Sequence, residues 1–145
     1  MKTLIFGLLV LVIFSVNSCH DKDAPTCATC ENFSDGYVIG FDPCSGVGNP
    51  NGGTLGFAIY LPINGDTVVA YNFPTGIYDF PLGYFGNYKY YPFFPEEARE
   101  DFPVKIKYRY AKKEEFSVKF CTGDIVSYPL FSNIESQIIL LSITK

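Results

Sequence analysis

Residues 56–73 read GFAIYLPINGDTVVAYNF, and this stretch decides the fold class. In its first part, residues 56–61, alternate side chains are large and apolar, which is the spacing of a half-buried β-strand. Residues 67–73 form a second β-rich run. Asn64-Gly65 lies between the two runs, and both residues tolerate the positive φ that a type I′ turn requires. The stretch therefore predicts a β-hairpin.

Four other stretches have the composition of strands. They are Tyr37–Phe41, Val104–Tyr110, Phe116–Phe120 and Gln137–Ile143. Residues 104–110 alternate strictly between apolar and basic side chains, and a short turn separates them from residues 116–120, so we expect a second hairpin. Residues 137–143 are apolar on both faces, which indicates a buried central strand.

Residues 95–100, PEEARE, favour one or two helical turns, because proline suits the first helical position and acids suit the first turn. Strands in this order, with a short helix between the third and the fourth, resemble an OB-like Greek-key barrel. A β-sandwich with similar hairpins is the alternative architecture. The sequence thus predicts an all-β domain with one short helix.

The first eighteen residues have the organisation of a secretory signal. Lys2 supplies the positive start, and an apolar run of eleven residues, 4–14, follows it. As a helix this run rises about 16 Å, which is too short for a hydrocarbon core of roughly 30 Å. We therefore expect residues 1–18 to be a signal peptide that is removed on export.

Val16-Asn17-Ser18-Cys19 resembles the lipobox of bacterial lipoproteins, with an aliphatic residue three positions before the cysteine and a small residue directly before it. The resemblance implies that Cys19 is acylated, becomes the mature N-terminus and anchors the protein in the membrane, since each buried CH₂ contributes roughly 0.8 kcal/mol. We expect the outer membrane, with the periplasmic and surface faces as alternatives. Ordinary cleavage that leaves Cys19 unmodified is the other interpretation.

The mature chain divides into a tether and a domain. Residues 19–35 begin with a polar, proline-containing stretch typical of a flexible tether, and residues 36–145 are enough for a single β-rich domain. Removal of residues 1–18 changes the net charge from −4 to −5, because Lys2 is the one charged residue among them. An acidic exported chain repels phosphate backbones, so nucleic acid is excluded as a partner.

Four cysteines remain beside the lipidated Cys19, and they are Cys27, Cys30, Cys44 and Cys121. An even set in an oxidising compartment predicts two disulfides. The preferred pairing is Cys44–Cys121, which closes most of the domain and stabilises it by about 4 kcal/mol in the chain-entropy model, together with a local Cys27–Cys30 pair. Cys30–Cys121 with Cys27–Cys44 is the alternative pairing.

The sequence assigns no catalytic residue, no cofactor and no metal site. The sole histidine, His20, lies beside the lipidated cysteine and outside the domain, which excludes histidine-based catalysis. Two alternative functions have candidate residues. A hydrolase of envelope polymers would use carboxylates such as Asp42 and Asp124, and a protease inhibitor would present residues 45–54 as a protruding loop.

Residues 78–94 form a segment unusually rich in tyrosine and phenylalanine. Tyrosine is enriched at recognition sites because it offers a large rigid surface and a hydroxyl group. We therefore expect this segment to contact a protein or glycan partner through Tyr78, Tyr84, Phe85, Tyr88, Tyr90 and Tyr91. In the alternative interpretation these rings cover the open end of the barrel as a small additional core.

The chain as a whole resembles the small lipoproteins of uncharacterised function that occur in Bacteroidota, through its signal, Cys19 and a compact domain flanked by Cys44 and Cys121. Asp66-Thr67-Val68 resembles the O-glycosylation site of exported proteins in that group, which makes Thr67 a candidate site. The resemblance implies no activity. Our leading hypothesis is a non-enzymatic, membrane-tethered binding or structural module of the cell envelope.

Overall fold

The computed structural model describes residues 30–45, 55–85, 91–117, 119, 121 and 127–145. Within these ranges the chain forms five β-strands, which are β1 Asn32–Phe41, β2 Phe57–Leu61, β3 Asp66–Ala70, β4 Pro103–Tyr110 and β5 Gln137–Thr144. One short α-helix, α1, spans Pro129–Ser132. Short 3-10 turns occur at Pro43–Ser45, Leu82–Phe85, Glu96–Ala98, Lys113–Glu115 and Ile134–Ser136.

The strands form a closed barrel in the order β1-β2-β3-β5-β4, and β4 returns to pair with β1. β3 and β5 run parallel and pair at Val69↔Gln137 and Ala70↔Ile138, while the other neighbouring strands are antiparallel. The predicted all-β barrel with one short helix is therefore confirmed. Its five strands are the number found in an OB-like barrel.

Asn72 extends the junction between β3 and β5 beyond these paired residues. Its side-chain Nδ2 donates to the carbonyl oxygen of Leu140 at 2.9 Å, and its Oδ1 accepts from the N–H of Leu140 at 3.0 Å. The amide side chain thus replaces a backbone connection at the point where the chain leaves β3.

The predicted hairpin is formed by β2 and β3, but its turn differs from the expected type I′. The last pair is Leu61↔Asp66, so four residues connect the strands, and Gly65 alone among them has a positive φ, of 76°. The N–H of Gly65 donates to the carbonyl oxygen of Leu61 at 3.0 Å. Pro62 is the first residue of this turn, and proline is commonly found where a strand ends.

The prediction of a second hairpin is wrong. β4 has the expected alternation, with every second side chain in the core. However, β1 occupies one edge of β4 and β5 occupies the other, so no edge remains for residues 116–120. No described residue of that stretch belongs to a strand, and Val118 and Phe120 lie outside the described ranges.

The chain after β4 forms a turn that Arg109 holds in place. The Arg109 guanidinium donates to both carboxylate oxygens of Glu115, at 2.6 and 2.5 Å, and the N–H of Lys112 donates to Glu115 Oε2 at 2.9 Å. These hydrogen bonds, above all those from Arg109, lower the pKa of Glu115 to about 2.

The observed elements also differ from the predicted ones in extent. β1 begins at Asn32, within the stretch assigned to the tether, because residues 32–37 pair with β4. β5 is largely buried up to Leu140 and mostly exposed beyond it, so it is a buried central strand only in its first half. The helix predicted within residues 95–100 is a 3-10 turn, and α1 lies between β4 and β5 instead.

The barrel interior holds the main core. Side chains from all five strands meet there, among them Val38, Ile59, Leu61, Val68, Ile106 and Ile138. A second apolar cluster lies on the outer face of β1, β2 and β3, where Phe131 of α1 packs with Ile39, Ala58 and Val69. Gly40 allows the chain at residues 92–94 to approach this face, since a Cβ atom at Gly40 would lie 2.4 Å from the carbonyl oxygen of Pro92.

Candidate functional site

The described aromatic residues of segment 78–94 pack largely against the barrel. Tyr78, Tyr84 and Phe85 are partly buried and contact the main core. Phe80 stacks on Phe57 of β2, with 5.1 Å between the ring centroids. These contacts are those expected of rings that cover one end of the barrel.

Tyr91 is more exposed, at 52% of its surface, and its ring lies 5.6 Å from that of Phe93. Tyr88 and Tyr90 lie outside the described residues. A role in partner binding for the aromatic segment stays a prediction.

Asp42, the carboxylate considered for hydrolysis, is buried and only 1% exposed. The Tyr71 hydroxyl donates to its Oδ2 at 2.7 Å, and the N–H of Cys44 donates to its Oδ1 at 2.9 Å. Burial raises the pKa of Asp42, although the two hydrogen bonds and the charge of Lys119 act in the opposite direction. Burial and the hydrogen bond to Asp42 also raise the pKa of Tyr71.

This arrangement joins the end of β1 to the chain after β3. A carboxylate enclosed in this way has its oxygens committed to internal donors, which indicates a structural role. Asp124, the second carboxylate of the hydrolase hypothesis, lies outside the described residues, as do residues 46–54 of the inhibitor loop.

The structure places the two cysteines of the preferred disulfide, Cys44 and Cys121, within disulfide distance. Their Cα atoms lie 4.5 Å apart and the two residues are separated by 77 positions in the sequence, which favours this pairing over the alternative. Cys30 is also disulfide-bonded. Its predicted partner Cys27 and the lipidation site Cys19 lie outside the described residues.

Thr67 is half-buried in β3, where it lies opposite Tyr60 of β2. It shares the outer face of the strand with Val69, which belongs to the second apolar cluster. O-glycosylation of Thr67 stays a prediction.

A different outer face, formed by β1, β4 and β5, carries an open groove lined by described residues. Strand register arranges its outward-facing side chains in two rows, Phe33–Lys107–Ser142 and Asp35–Lys105–Thr144. Neighbours within a row are about 5 Å apart at their Cα atoms, and the rows are roughly 7 Å apart. Pro62 and Ile63 of the β2–β3 turn border the same groove, whose volume is about 610 Å³.

Two large apolar side chains of this groove, hereafter the Phe33–Ile63 groove, are exposed to an unusual degree. Phe33 is 72% exposed and Ile63 is 84% exposed. Phe33 belongs to β1 and Ile63 to the β2–β3 turn, and both line the same depression. Adjacent exposed apolar side chains with polar residues around them are typical of an interaction site.

Basic side chains surround these apolar residues. The Lys107 ammonium lies 5.4 Å from the centre of the Phe33 ring and forms an ion pair with Glu31 at 2.7 Å. Lys105 and Asp35 also border a smaller adjoining groove of about 240 Å³, together with Lys145. Lys105 and Lys107 balance the acids Glu31 and Asp35, so this face is neutral on a chain with an overall charge of −4.

The outer face of β2 and β3 is much less accessible. OB-like barrels commonly use this face to bind ligands. Here Phe131 of α1 covers it, and Tyr128 and Leu130 pack beside Phe131. The Phe33–Ile63 groove therefore offers the more open surface for a partner.

Sequence reasoning missed this groove, although one of its signals was visible. The alternation of residues 104–110 placed Lys105 and Lys107 on the outside of a strand. Phe33, however, fell in the stretch assigned to the tether. The face exists only because residues 33, 107 and 142, which are far apart in sequence, share one row of the sheet.

Among the described residues, no group of three or more His, Cys, Asp or Glu side chains is placed to hold a metal ion. None of the helices in the described ranges has the length and apolar character needed to cross a membrane. Comparison of the chain with protein-family models, with curated proteins and with solved structures finds no match.

Proposed function

We propose that the protein is a non-enzymatic docking module of the cell envelope, anchored by lipid on Cys19 and binding through the Phe33–Ile63 groove. The observation that carries the binding role is the juxtaposition of two highly exposed apolar side chains, Phe33 and Ile63, with lysines in one open groove. Leaving these side chains in water costs apolar hydration free energy that a partner would recover.

The anchoring part of the proposal is supported by the sequence. An apolar run too short to span a membrane precedes Val16-Asn17-Ser18-Cys19, and charged residues follow directly. The disulfides at Cys44–Cys121 and Cys30 fit an oxidising compartment outside the cytosol. Together these features support a domain held at a membrane surface.

Fractionation of cells that express the full chain tests the anchor. We expect the protein to sediment with membranes and to enter the detergent-rich phase of a Triton X-114 extraction. Cys19→Ala removes the thiol that would carry the acyl chains and should shift the protein to the aqueous phase. His20→Ala is the matched control, since it changes the next residue and keeps the thiol. Equal membrane retention of Cys19→Ala and the unaltered chain would contradict the proposal.

A further inference from the structure

We infer that the Phe33–Ile63 groove lies on the lipid bilayer itself, so that its partner is the anionic headgroup surface of the membrane that holds the anchor. This inference rests on the proposed lipid anchor at Cys19 and names the partner of the proposed docking surface. It fixes the orientation of the barrel with respect to the membrane.

Chain length brings this end of the barrel near the membrane. β1 begins at Asn32, thirteen residues after Cys19. A polypeptide spans at most about 3.6 Å per residue, so Asn32 stays within roughly 45 Å of the lipidated residue. Phe33 follows directly and is thus among the first residues of the barrel beyond the tether.

The apolar side chains have the placement that interfacial insertion requires. Phe33 projects from the outer face of β1, and Ile63 lies at the tip of the β2–β3 hairpin. Side chains that bind at a membrane interface reach about 5–10 Å into the boundary between headgroups and acyl chains. An aromatic ring and a branched aliphatic chain at an exposed turn are suited to that depth.

Charge supplies a second, independent reason for this orientation. Loss of residues 1–18 removes one charged residue, Lys2, so the net charge of −4 becomes −5 in the mature chain. Anionic lipid headgroups repel a chain of this charge. The face with Lys105 and Lys107 is neutral, since these two lysines balance the two acids Glu31 and Asp35, whereas the rest of the mature chain carries the negative charge. Turning this face toward the lipid therefore minimises repulsion, and the lysine ammonium groups reach the headgroups while their stems cover the apolar residues.

Fluorescence can test the orientation directly, because the chain contains no tryptophan. Phe33→Trp introduces a single fluorophore at a site that is 72% exposed, so the barrel should tolerate it. Leu82→Trp is the matched control. Leu82 is 78% exposed and borders a cavity with Phe57, at the opposite end of β2 from Ile63.

Each variant is purified in its lipidated form and reconstituted into vesicles of phosphatidylglycerol and phosphatidylcholine, the latter with or without brominated acyl chains. Intact-mass measurement first establishes that acyl chains are present. We expect bromine to quench roughly half of the emission of the tryptophan at position 33, because a ring at interfacial depth approaches the acyl chains. The emission of the tryptophan at position 82 should stay unchanged.

The outcomes separate this inference from the proposed function. Acylated protein whose tryptophan at position 33 is not quenched would overturn the orientation and leave the anchor intact. Equal quenching at both positions would also overturn it, since the barrel would then have no preferred face. Protein without acyl chains would overturn both proposals. A spectral shift at position 33 caused by a soluble anionic polysaccharide, without any quenching by lipid bromine, would show a glycan site instead.

Charge reversal provides a further arm of the test. Lys105→Glu combined with Lys107→Glu should reduce the quenching at position 33 by at least about two-fold in anionic vesicles, because each basic residue near an anionic surface adds to its attraction. Quenching that is unaffected by this double change would contradict the electrostatic part of the inference.

Discussion

At the scale of single residues, Asp42 shows how a charged group serves the structure. Its carboxylate accepts hydrogen bonds from Tyr71 and from the N–H of Cys44 while it is almost completely shielded from water. Burial disfavours the charged form and raises the pKa of Asp42 above its ordinary value of 3.8. Folding therefore favours the protonated form of this group.

The raised pKa of Asp42 leads to a prediction about stability as a function of pH. The stabilising contribution of Asp42 is fully present below pH 3.8 and is lost as the pH rises through the folded pKa. Asp42→Asn is neutral at every pH and keeps the shape of the side chain. We expect the free energy of unfolding of the unaltered protein, minus that of Asp42→Asn, to decrease from acidic pH to neutrality.

Urea unfolding at a series of pH values measures this difference. Glu115 has the opposite pH dependence, because its lowered pKa makes both proteins lose stability as the pH falls through about 2. Taking the difference between the two proteins removes this contribution. Asp42→Ala should have a lower free energy of unfolding than Asp42→Asn at every pH, by roughly 1–3 kcal/mol for each buried donor left unpaired. A difference between unaltered protein and Asp42→Asn that increases toward neutral pH would contradict the assignment.

At the scale of elements, the weakest connection of the barrel is the one between β3 and β5. Backbone pairing there covers only Val69↔Gln137 and Ala70↔Ile138. The side chain of Asn72 adds two hydrogen bonds to the backbone of Leu140. Closure of the sheet at this position thus depends on a side chain.

Asn72→Ala should therefore destabilise the barrel by about 1–2 kcal/mol, since the N–H and C=O of Leu140 lose their partner. Amide hydrogen exchange should show faster exchange at Leu140. Asn64→Ala is the control, because within the described part of the chain the Asn64 side chain bonds to Asp66, inside the hairpin turn. Unchanged protection of the Leu140 amide in Asn72→Ala would show that the side chain does not close the sheet.

The elements also show which parts of the fold follow from local sequence. Period-two spacing identified β2 and β4, because alternate burial is a property of each strand by itself, and β-rich composition identified β3. It did not identify the partners of β4, since pairing depends on residues far away in the chain. The turn after Leu61 differs from the predicted type, because β2 ends at Leu61 and four residues, beginning with Pro62, connect it to β3.

The candidate site illustrates the same limit. The outward lysines of β4 were predictable from alternation alone, whereas the neighbours that make them part of a groove belong to β1, β5 and the β2–β3 turn. Composition instead predicted a binding site in the tyrosine-rich segment 78–94. The described rings of that segment are engaged mainly with the core, as the side chains of Tyr78 and Phe85 show.

At the scale of the whole molecule, the two ends of the barrel differ in what they expose. One end carries the Phe33–Ile63 groove close to the start of β1, and the aromatic segment covers the other end near Phe57. If the first end rests on lipid, the aromatic end points away from the membrane. The exposed groove and the position of the tether would then serve a single arrangement.

The central claim of this account is that the barrel is a lipid-anchored domain, and the mature N-terminal peptide tests it most directly. We predict that mass spectrometry of protein isolated from native envelopes finds Cys19 as the first residue, with a diacylglyceryl group in thioether linkage to its sulfur. An unmodified Cys19, or a peptide that still contains residues 1–18, would contradict the account.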